Sequence, residues 1–226
     1  MQYNDVRPAR FLARPNRFIA HIEMDGSTEI CHVKNTGRCR ELLLPGVPLI
    51  VQAVEKQSRK TKFDLIAVQK GDRLINIDSQ VPNRIFHEWI TSSDYFPDLK
   101  VLRPESSFRN SRLDFFIQSG SKKILVEVKG VTLEEDGVAM FPDAPTERGL
   151  KHIADLCSWI EEGHEAYMVF IIQMKDIDYF VPNYATHPEF GQALASAAGR
   201  GLKIIALDCE VGYDFITARD FVEVKI

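Results

Sequence analysis

The chain has 226 residues, 45% of them hydrophobic and 27% charged, which is ordinary for a soluble globular protein. No segment approaches the roughly 18 apolar residues of a bilayer span and no signal-peptide pattern is present, so we expect a cytoplasmic protein with no membrane partner. The four cysteines form no CxxC pair, which favours reduced thiols, no zinc site and no disulfide-linked partner.

Charge is distributed unevenly along the chain. Residues 1–80 contain 13 Lys and Arg against 9 Asp and Glu, whereas residues 81–226 contain 15 against 23. The segment "VRPARFLARPNRF" near the start carries four arginines and no acid. This distribution is typical of a basic N-terminal half that binds DNA, followed by an acidic half that binds a metal. A surplus of four positive charges over eighty residues is also compatible with an ordinary surface.

The first eighty residues read as short strands separated by glycine turns. "RFIAHIEM" and "STEICHV" flank Asp25-Gly26, "VPLIVQAVE" follows Pro45-Gly46, and "FDLIAVQ" and "RLINID" flank Lys70-Gly71-Asp72. About five strands without a helix predict a small barrel of the OB type over residues 1–81, a type that binds oligonucleotides or oligosaccharides.

The pattern changes near residue 82, where a second domain, residues 82–226, is predicted to begin. "NRIFHEWITSS" predicts a helix capped by Asn83, and "RLDFFIQ", "ILVEVK" and "GVAMF" predict three strands. "TERGLKHIADLCSWIEE" predicts a helix whose buried stripe is Leu150, Ile153, Ala154, Cys157 and Ile160. "AYMVFIIQ", "HPEFGQALASAAGRG" and "LKIIALD" follow as strand, helix and strand. The second half is therefore a mixed sheet with packed helices, and the chain is a two-domain α+β protein.

Three charges interrupt two of these strands. If "RLDFFIQ" and "ILVEVK" form a hairpin that turns at Gly120-Ser121, Asp114 lies opposite Glu127, and Lys129 shares their face of the sheet. Two converging carboxylates can hold Mg²⁺ or Mn²⁺, and a lysine beside them can stabilise charge on a phosphate, which is the chemistry of phosphodiester hydrolysis. A surface ladder of salt bridges through Lys129 is the other interpretation.

Further polar residues bear on this site. Glu105 lies upstream in "RPESSF", and the polar face predicted for the "TERGLKHIADL" helix carries Arg148, Lys151 and His152, whose basic groups could reach a phosphate. In "HVKNTGRCREL", Asn35 and Arg38 around Gly37 indicate either a phosphate-gripping loop or an Asn-Thr-Gly turn.

The pattern Asp-x12-Glu-x-Lys on this order of elements resembles the PD-(D/E)XK nuclease superfamily. The whole chain resembles the sugar fermentation stimulation protein (SfsA) family through "NTGRCRELLLPG", "PN", "SRLDF", "EVKGVTL" and "FPDAPTERGLKH". The resemblance implies an N-terminal OB-like barrel, a restriction-endonuclease-like C-terminal domain, DNA as partner and a role in sugar catabolism. The chain departs from the family at Phe108-Arg109, where tyrosine-glycine is usual.

Carried over by position, Asp114, Glu127 and Lys129 would be catalytic, and Asp114, Glu127 and Glu105 would bind the metal. The candidate DNA contacts are Arg14, Arg17, Asn35, Arg38, Arg112, Thr146, Arg148, Lys151 and His152. Three functions remain open: a metal-dependent deoxyribonuclease, a DNA-binding regulator of carbohydrate catabolism that does not cleave, and an oligosaccharide-binding barrel. A homodimer is also compatible with the sequence.

Overall fold

The first part of the chain forms a barrel. The computed structural model describes residues 1–35, 37–54, 59 and 61–226. The first sheet has six strands in the order β3-β2-β1-β4-β5-β6, and β3 also pairs with β5, so that five strands close on themselves. This confirms the OB-type barrel. Its strands are β1 (Val6–Asn16), β2 (Ile19–Met24), β3 (Ser27–Val33), β4 (Pro48–Ala53), β5 (Phe63–Lys70) and β6 (Arg73–Asn76).

The longest barrel strand, β1, is one that the sequence pattern did not predict. Its two prolines and its arginines hide the alternation, but Ala9 and Phe11 point into the core while Arg7 and Arg10 are exposed. The hairpin predicted at Asp25-Gly26 is confirmed, because Met24 pairs with Ser27 and both turn residues have positive φ.

The second part is a mixed sheet of nine strands in the order β10-β11-β13-β15-β14-β12-β9-β8-β7. Its parallel centre, β14-β12-β9, continues into the antiparallel strands β8 and β7. Four of its strands, β7, β10, β13 and β15, were not predicted. The strands are β7 (Leu99–Phe108), β8 (Ser111–Ser119), β9 (Lys122–Val131), β10 (Leu133–Glu135), β11 (Val138–Phe141), β12 (Glu165–Ile172), β13 (Tyr179–Pro182), β14 (Lys203–Val211) and β15 (Ile216–Val224).

Three helices cover this sheet: α1 (Val81–Ser92), α2 (Glu147–Glu161) and α3 (Pro188–Gly199). On β9, Val126 packs in the cluster that contains Phe86 of α1, whereas Leu125 packs in the cluster that contains Leu156 of α2. The two faces of β9 therefore lie under different helices, as the alternation predicted. Among the described residues, no helix has the length and apolarity that crossing a bilayer requires.

The predicted stripe of α2 needs correction. Ile153 and Cys157 are buried as expected, but Ala154 is exposed and Leu156 takes its place in the core. His152, predicted on the polar face, is also buried. The buried stripe is thus rotated towards His152, which turns this histidine onto the sheet.

A buried glutamate joins the barrel to the second sheet. Glu134 of β10 is 4% exposed and accepts hydrogen bonds from Lys70 at 2.7 Å, from Arg73 at 2.5 Å and from the backbone N–H of Gly137 at 2.7 Å. Burial raises the pKa of Glu134, but the hydrogen bonds from Lys70 and Gly137 and the charges of Lys70 and Arg73 outweigh it, so its pKa is lowered overall.

Glu134→Gln is therefore expected to lower the free energy of unfolding by about 2 kcal/mol near neutral pH. Because the folded-state pKa is depressed, the ionised group stabilises the fold above its unfolded pKa of about 4.3, and this contribution is lost as the pH falls through the folded value. Denaturant unfolding at several pH values measures the difference. The exposed neighbour Glu135→Gln is the control and should change stability by less than about 0.5 kcal/mol. Equal unfolding midpoints for the two variants at neutral pH would contradict the assignment.

Candidate metal centre

The two carboxylates lie on neighbouring strands. β8 and β9 pair from Phe115↔Val126 to Ser119↔Lys122 around a two-residue turn, which confirms the predicted register. The same register places Asp114 opposite Glu127, but the backbone pairing stops before this position. Asp114 Oδ2 instead accepts the backbone N–H of Val128 at 2.8 Å. β8 and β9 therefore separate at the two carboxylates. The Asp114 side chain, rather than a backbone carbonyl of β8, accepts the N–H of Val128 there.

Asn83 orients the other oxygen of Asp114. Its Nδ2 donates to Asp114 Oδ1 at 2.8 Å. The prediction that Asn83 caps α1 is wrong, because the helix begins at Val81 with Gln80 at the cap position. Asn83 thus lies in the first turn of the helix, where its amide reaches across to β8.

Glu127 has one oxygen that is fully engaged and one that is not. The residue is 2% exposed, and its Oε1 accepts from Lys129 Nζ at 2.5 Å and lies against His152 Nδ1. Arg148 Nε donates to His152 Nε2 at 3.4 Å, which leaves Nδ1 to carry the proton that faces Glu127. Glu127 Oε2 is buried and has no hydrogen-bond partner within the part of the chain that the structure describes.

The two carboxyl groups differ in their electrostatics. Burial, and then the charge of Glu127, raise the pKa of Asp114 above its ordinary value. Burial also acts to raise the pKa of Glu127, but His152 and Lys129 outweigh it and hold this pKa below its usual range. A cation between the two groups would relieve their repulsion and favour the ionised form of Asp114.

These residues fit a hard divalent cation. An unpartnered carboxylate oxygen in a buried site costs free energy unless an ion or water binds it, and oxygen donors suit Mg²⁺ and Mn²⁺. Across residues 1–35, 37–54, 59 and 61–226, no three His, Cys, Asp or Glu side chains converge as a ready metal site. Asp114 and Glu127 would therefore hold a bound ion with help from water or substrate oxygens, which is usual for Mg²⁺.

Glu105 does not join this pair. Pro104 and Ser106 pair with Phe115 and Leu113, so Glu105 lies opposite Asp114 by register, but it adopts a φ of +54°. Its exposed carboxylate forms an ion pair with Arg112. The placement of Glu105 as a third metal ligand is corrected accordingly, because its side chain is turned to solvent by the local backbone conformation.

The departure from the family pattern at Arg109 coincides with a left-handed conformation. Arg109 has a φ of +51°, a region that glycine adopts without cost. Its guanidinium lies 5.2 Å from the ring centre of Phe108 and donates to Ser158 at 2.7 Å. These contacts compensate for the strained backbone at the turn between β7 and β8.

The predicted DNA-contact residues of α2 divide into two groups. Arg148 and Lys151 are exposed, and Lys151 also donates to the carbonyl of Asn110 at 2.9 Å. Thr146 caps the helix, since its hydroxyl accepts the N–H of Gly149 at 3.0 Å. His152, predicted to contact DNA from an exposed face, is 3% exposed and supports Glu127 instead.

Arg14 and Asn35 shape a loop of the barrel. Arg14 donates to the carbonyls of Asn35 and Arg38 at 2.7 Å, of Arg17 at 2.8 Å and of Gly37 at 2.9 Å. Asn35 accepts the N–H of Gly37 at 2.7 Å, as in an Asn-x-Gly turn. The intervening Thr36 lies outside the described residues.

The barrel loop carries a basic cavity. Arg17 and Arg38 are exposed and, with Arg40, line a cavity of about 290 Å³. A second cavity of about 150 Å³ lies between the same loop and the end of β9. Gly130 forms part of its wall, and a Cβ there would come within 2.6 Å of Pro82 Cγ and Gln173 Oε1. Asn35 and Gly37 of the barrel loop and Gly130 of β9 therefore line one cavity.

Together, the closed barrel, the mixed sheet and the carboxylate pair define a protein with an OB domain and a restriction-endonuclease-like domain, the predicted fold class. Two family models match the chain: "SfsA N-terminal OB domain" over residues 12–77 and "Sugar fermentation stimulation protein RE domain" over residues 80–215. The chain belongs to the sugar fermentation stimulation protein (SfsA) family.

Relatives match over nearly their full length. A sugar fermentation stimulation protein homolog of Desulfitobacterium hafniense (strain DSM 10664 / DCB-2) is 60% identical, with 100% of this chain and 99% of the relative covered. The homolog of Clostridium beijerinckii is 52% identical, with 99% of each covered. Among solved structures, SfsA of Pyrococcus furiosus in complex with Ca²⁺ is 28% identical with a TM-score of 0.87, over 100% of this chain and 98% of that one.

Proposed function

We propose that this protein binds DNA in the cytoplasm and hydrolyses phosphodiester bonds with Mg²⁺ or Mn²⁺ held by Asp114 and Glu127. The observation that carries the proposal is the buried, unpartnered Oε2 of Glu127 beside a second carboxylate whose pKa is raised. The Ca²⁺ in the structure of the P. furiosus relative supports a hard divalent cation in this fold.

Each residue of the site has a distinct task in this reaction. When bound, the metal polarises a phosphate oxygen and lowers the pKa of a bound water. Asn83 and the N–H of Val128 fix the Asp114 carboxylate, and His152 fixes that of Glu127. Lys129, whose side chain is 15% exposed, can turn its ammonium from Glu127 towards negative charge that develops on the phosphate.

The DNA backbone would be held by the exposed cations. Arg17 and Arg38 on the barrel and Arg148 and Lys151 on α2 are accessible, and Arg112 is accessible beside Glu105. Arg14, Asn35, Thr146 and His152 support these groups from within. Since phosphate contacts release counterions, binding should weaken steeply as salt increases.

A DNA-binding regulator of carbohydrate catabolism that does not cleave is the second candidate. Two observations favour it: both oxygens of Asp114 already accept hydrogen bonds, and no third acidic side chain of the described residues joins the pair. Such a site could retain the metal as a structural or binding element without catalysis.

Incubation of the protein with supercoiled and with branched DNA separates the candidates. Mg²⁺ or Mn²⁺ should produce cut products that disappear in EDTA. Binding of DNA that persists without cutting under either metal would overturn the nuclease and favour the regulator. Neither binding nor cutting would exclude both.

A further inference from the structure

The turn between β1 and β2 presents an aromatic ring to solvent. Arg17 and Phe18 are the two turn residues, and Phe18 is 45% exposed even though the Arg17 guanidinium lies 4.7 Å from the centre of its ring. Large apolar side chains on a polar turn are costly to leave in water, and stable exposed rings are common at binding surfaces.

The turn is held by hydrogen bonds on each side. The N–H of Phe18 donates to Asn16 Oδ1 at 2.9 Å, and the carbonyl of Phe18 accepts from Val33 at 2.8 Å. The carbonyl of Arg17 accepts from Arg14 at 2.8 Å. Because three hydrogen bonds to residues of β1 and β3 fix this backbone, the turn has little backbone entropy left to lose on binding.

The ring adjoins the basic cavity. Arg17, which covers part of the Phe18 ring, also lines the 290 Å³ cavity. Among the described residues, four arginines and no carboxylate line this cavity, whose residues are Arg14, Asn16, Arg17, Gly37, Arg38, Arg40 and Leu43. A planar apolar surface and a cavity suited to a phosphate are therefore side by side.

We propose that this end of the barrel binds single-stranded nucleic acid, with an unpaired base stacked on Phe18 and a neighbouring phosphate in the cavity of Arg17, Arg38 and Arg40. Aromatic rings beside a cationic groove are how proteins bind single strands without sequence preference, and OB barrels use the loop between their first two strands. In a duplex the faces of the bases are covered by their neighbours, so that Phe18 distinguishes unpaired from paired strands. This inference rests on the nucleic-acid binding proposed above and adds its preferred form.

Fluorescence anisotropy in EDTA, where no metal-dependent cutting occurs, tests the proposal. The probes are labelled oligo(dT), oligo(rU) and a blunt DNA duplex. Phe18→Leu should weaken oligo(dT) binding by about tenfold and leave duplex binding within about twofold. Phe18→Trp should retain wild-type affinity, since tryptophan also stacks. The control is Phe221→Leu, the same change at a phenylalanine that is 58% exposed on the second sheet, and it should leave both affinities unchanged.

The outcomes separate this inference from the proposed function. Unchanged affinity for both oligo(dT) and oligo(rU) in Phe18→Leu, or equal losses on the single strands and the duplex, would overturn stacking while DNA binding stood. Absence of binding to every probe by the wild-type protein would overturn both. Equal effects on oligo(dT) and oligo(rU) support recognition through base and phosphate, whereas an effect on oligo(rU) alone assigns the surface to RNA.

Discussion

Asp114→Asn is expected to lower Mg²⁺- or Mn²⁺-dependent DNA cleavage by about 10²- to 10³-fold. The substitution removes a negative charge from the metal site but keeps an oxygen that can accept the N–H of Val128, so the strands should keep their register. Affinity for DNA in EDTA should stay within about twofold. The proposed phosphate contacts are made by arginine and lysine side chains, and Asp114 makes none of them. The rate of conversion of supercoiled plasmid to nicked or linear forms measures the effect.

Asp94→Asn is the matched control for this substitution. Asp94 is exposed just after α1, and the same loss of charge there should leave cleavage unchanged. If Asp114→Asn cut at the wild-type rate, the carboxylate pair would not be the catalytic site, even if wild-type cleavage required metal.

Mn²⁺ is expected to raise the Tm of the wild-type protein and not that of Glu127→Gln. At a free metal concentration of one hundred times the Kd, binding stabilises the folded state by about 2.7 kcal/mol. For a chain of this size, that corresponds to an increase in Tm of about 5–10 °C. The amide oxygen of a glutamine at position 127 can still accept the hydrogen bond from Lys129. Its amide nitrogen replaces Oε2, so that the ion loses an anionic ligand. Thermal unfolding of each variant with Mn²⁺ and with EDTA gives the comparison.

A second acidic region provides the control. Glu135 lies in a cavity of about 820 Å³ that is also lined by Asp72, Asp136, Asp176 and Asp178. Glu135→Gln should keep the full Mn²⁺ effect on Tm. Loss of the effect in Glu135→Gln together with its retention in Glu127→Gln would place the bound ion in that cavity and refute the site at β8 and β9.

The sequence predicted the hairpin of β8 and β9 because two local signals agree there. The turn at Gly120-Ser121 fixes the register, and the alternation of apolar residues fixes which side chains share a face. Together these placed Asp114 and Glu127 on neighbouring strands and Lys129 on the same face as Glu127, which it contacts. The barrel was predicted for the same reason, since glycine turns separate its short strands.

Contacts between distant elements could not be predicted in this way. Asn83 and Asp114 are 31 residues apart and meet only because α1 packs on the sheet. His152 was expected in solvent because polar residues are mostly exposed, and its partner Glu127 is 25 residues away on another element. The sequence indicated Asn83 as a helix cap and through the motif "PN", and neither signal predicted its contact with Asp114.

Strands whose side chains are largely polar were also missed. β1 carries exposed arginines, and most of the ten residues of β7 are exposed or half-buried, so neither shows a clear alternating pattern. Their partners in the sheets, rather than their own composition, make them strands. Because β7 was not predicted, the left-handed conformation that turns Glu105 to solvent was not foreseen.

The anomalous scattering of Mn²⁺ in crystals of the protein tests the central claim most directly. The account predicts a peak at about 2.0–2.3 Å from Glu127 Oε2 and from one carboxylate oxygen of Asp114, and no such peak in crystals of Glu127→Gln. A peak elsewhere, or none at this pair under a Mn²⁺ concentration that supports cleavage, would contradict the account.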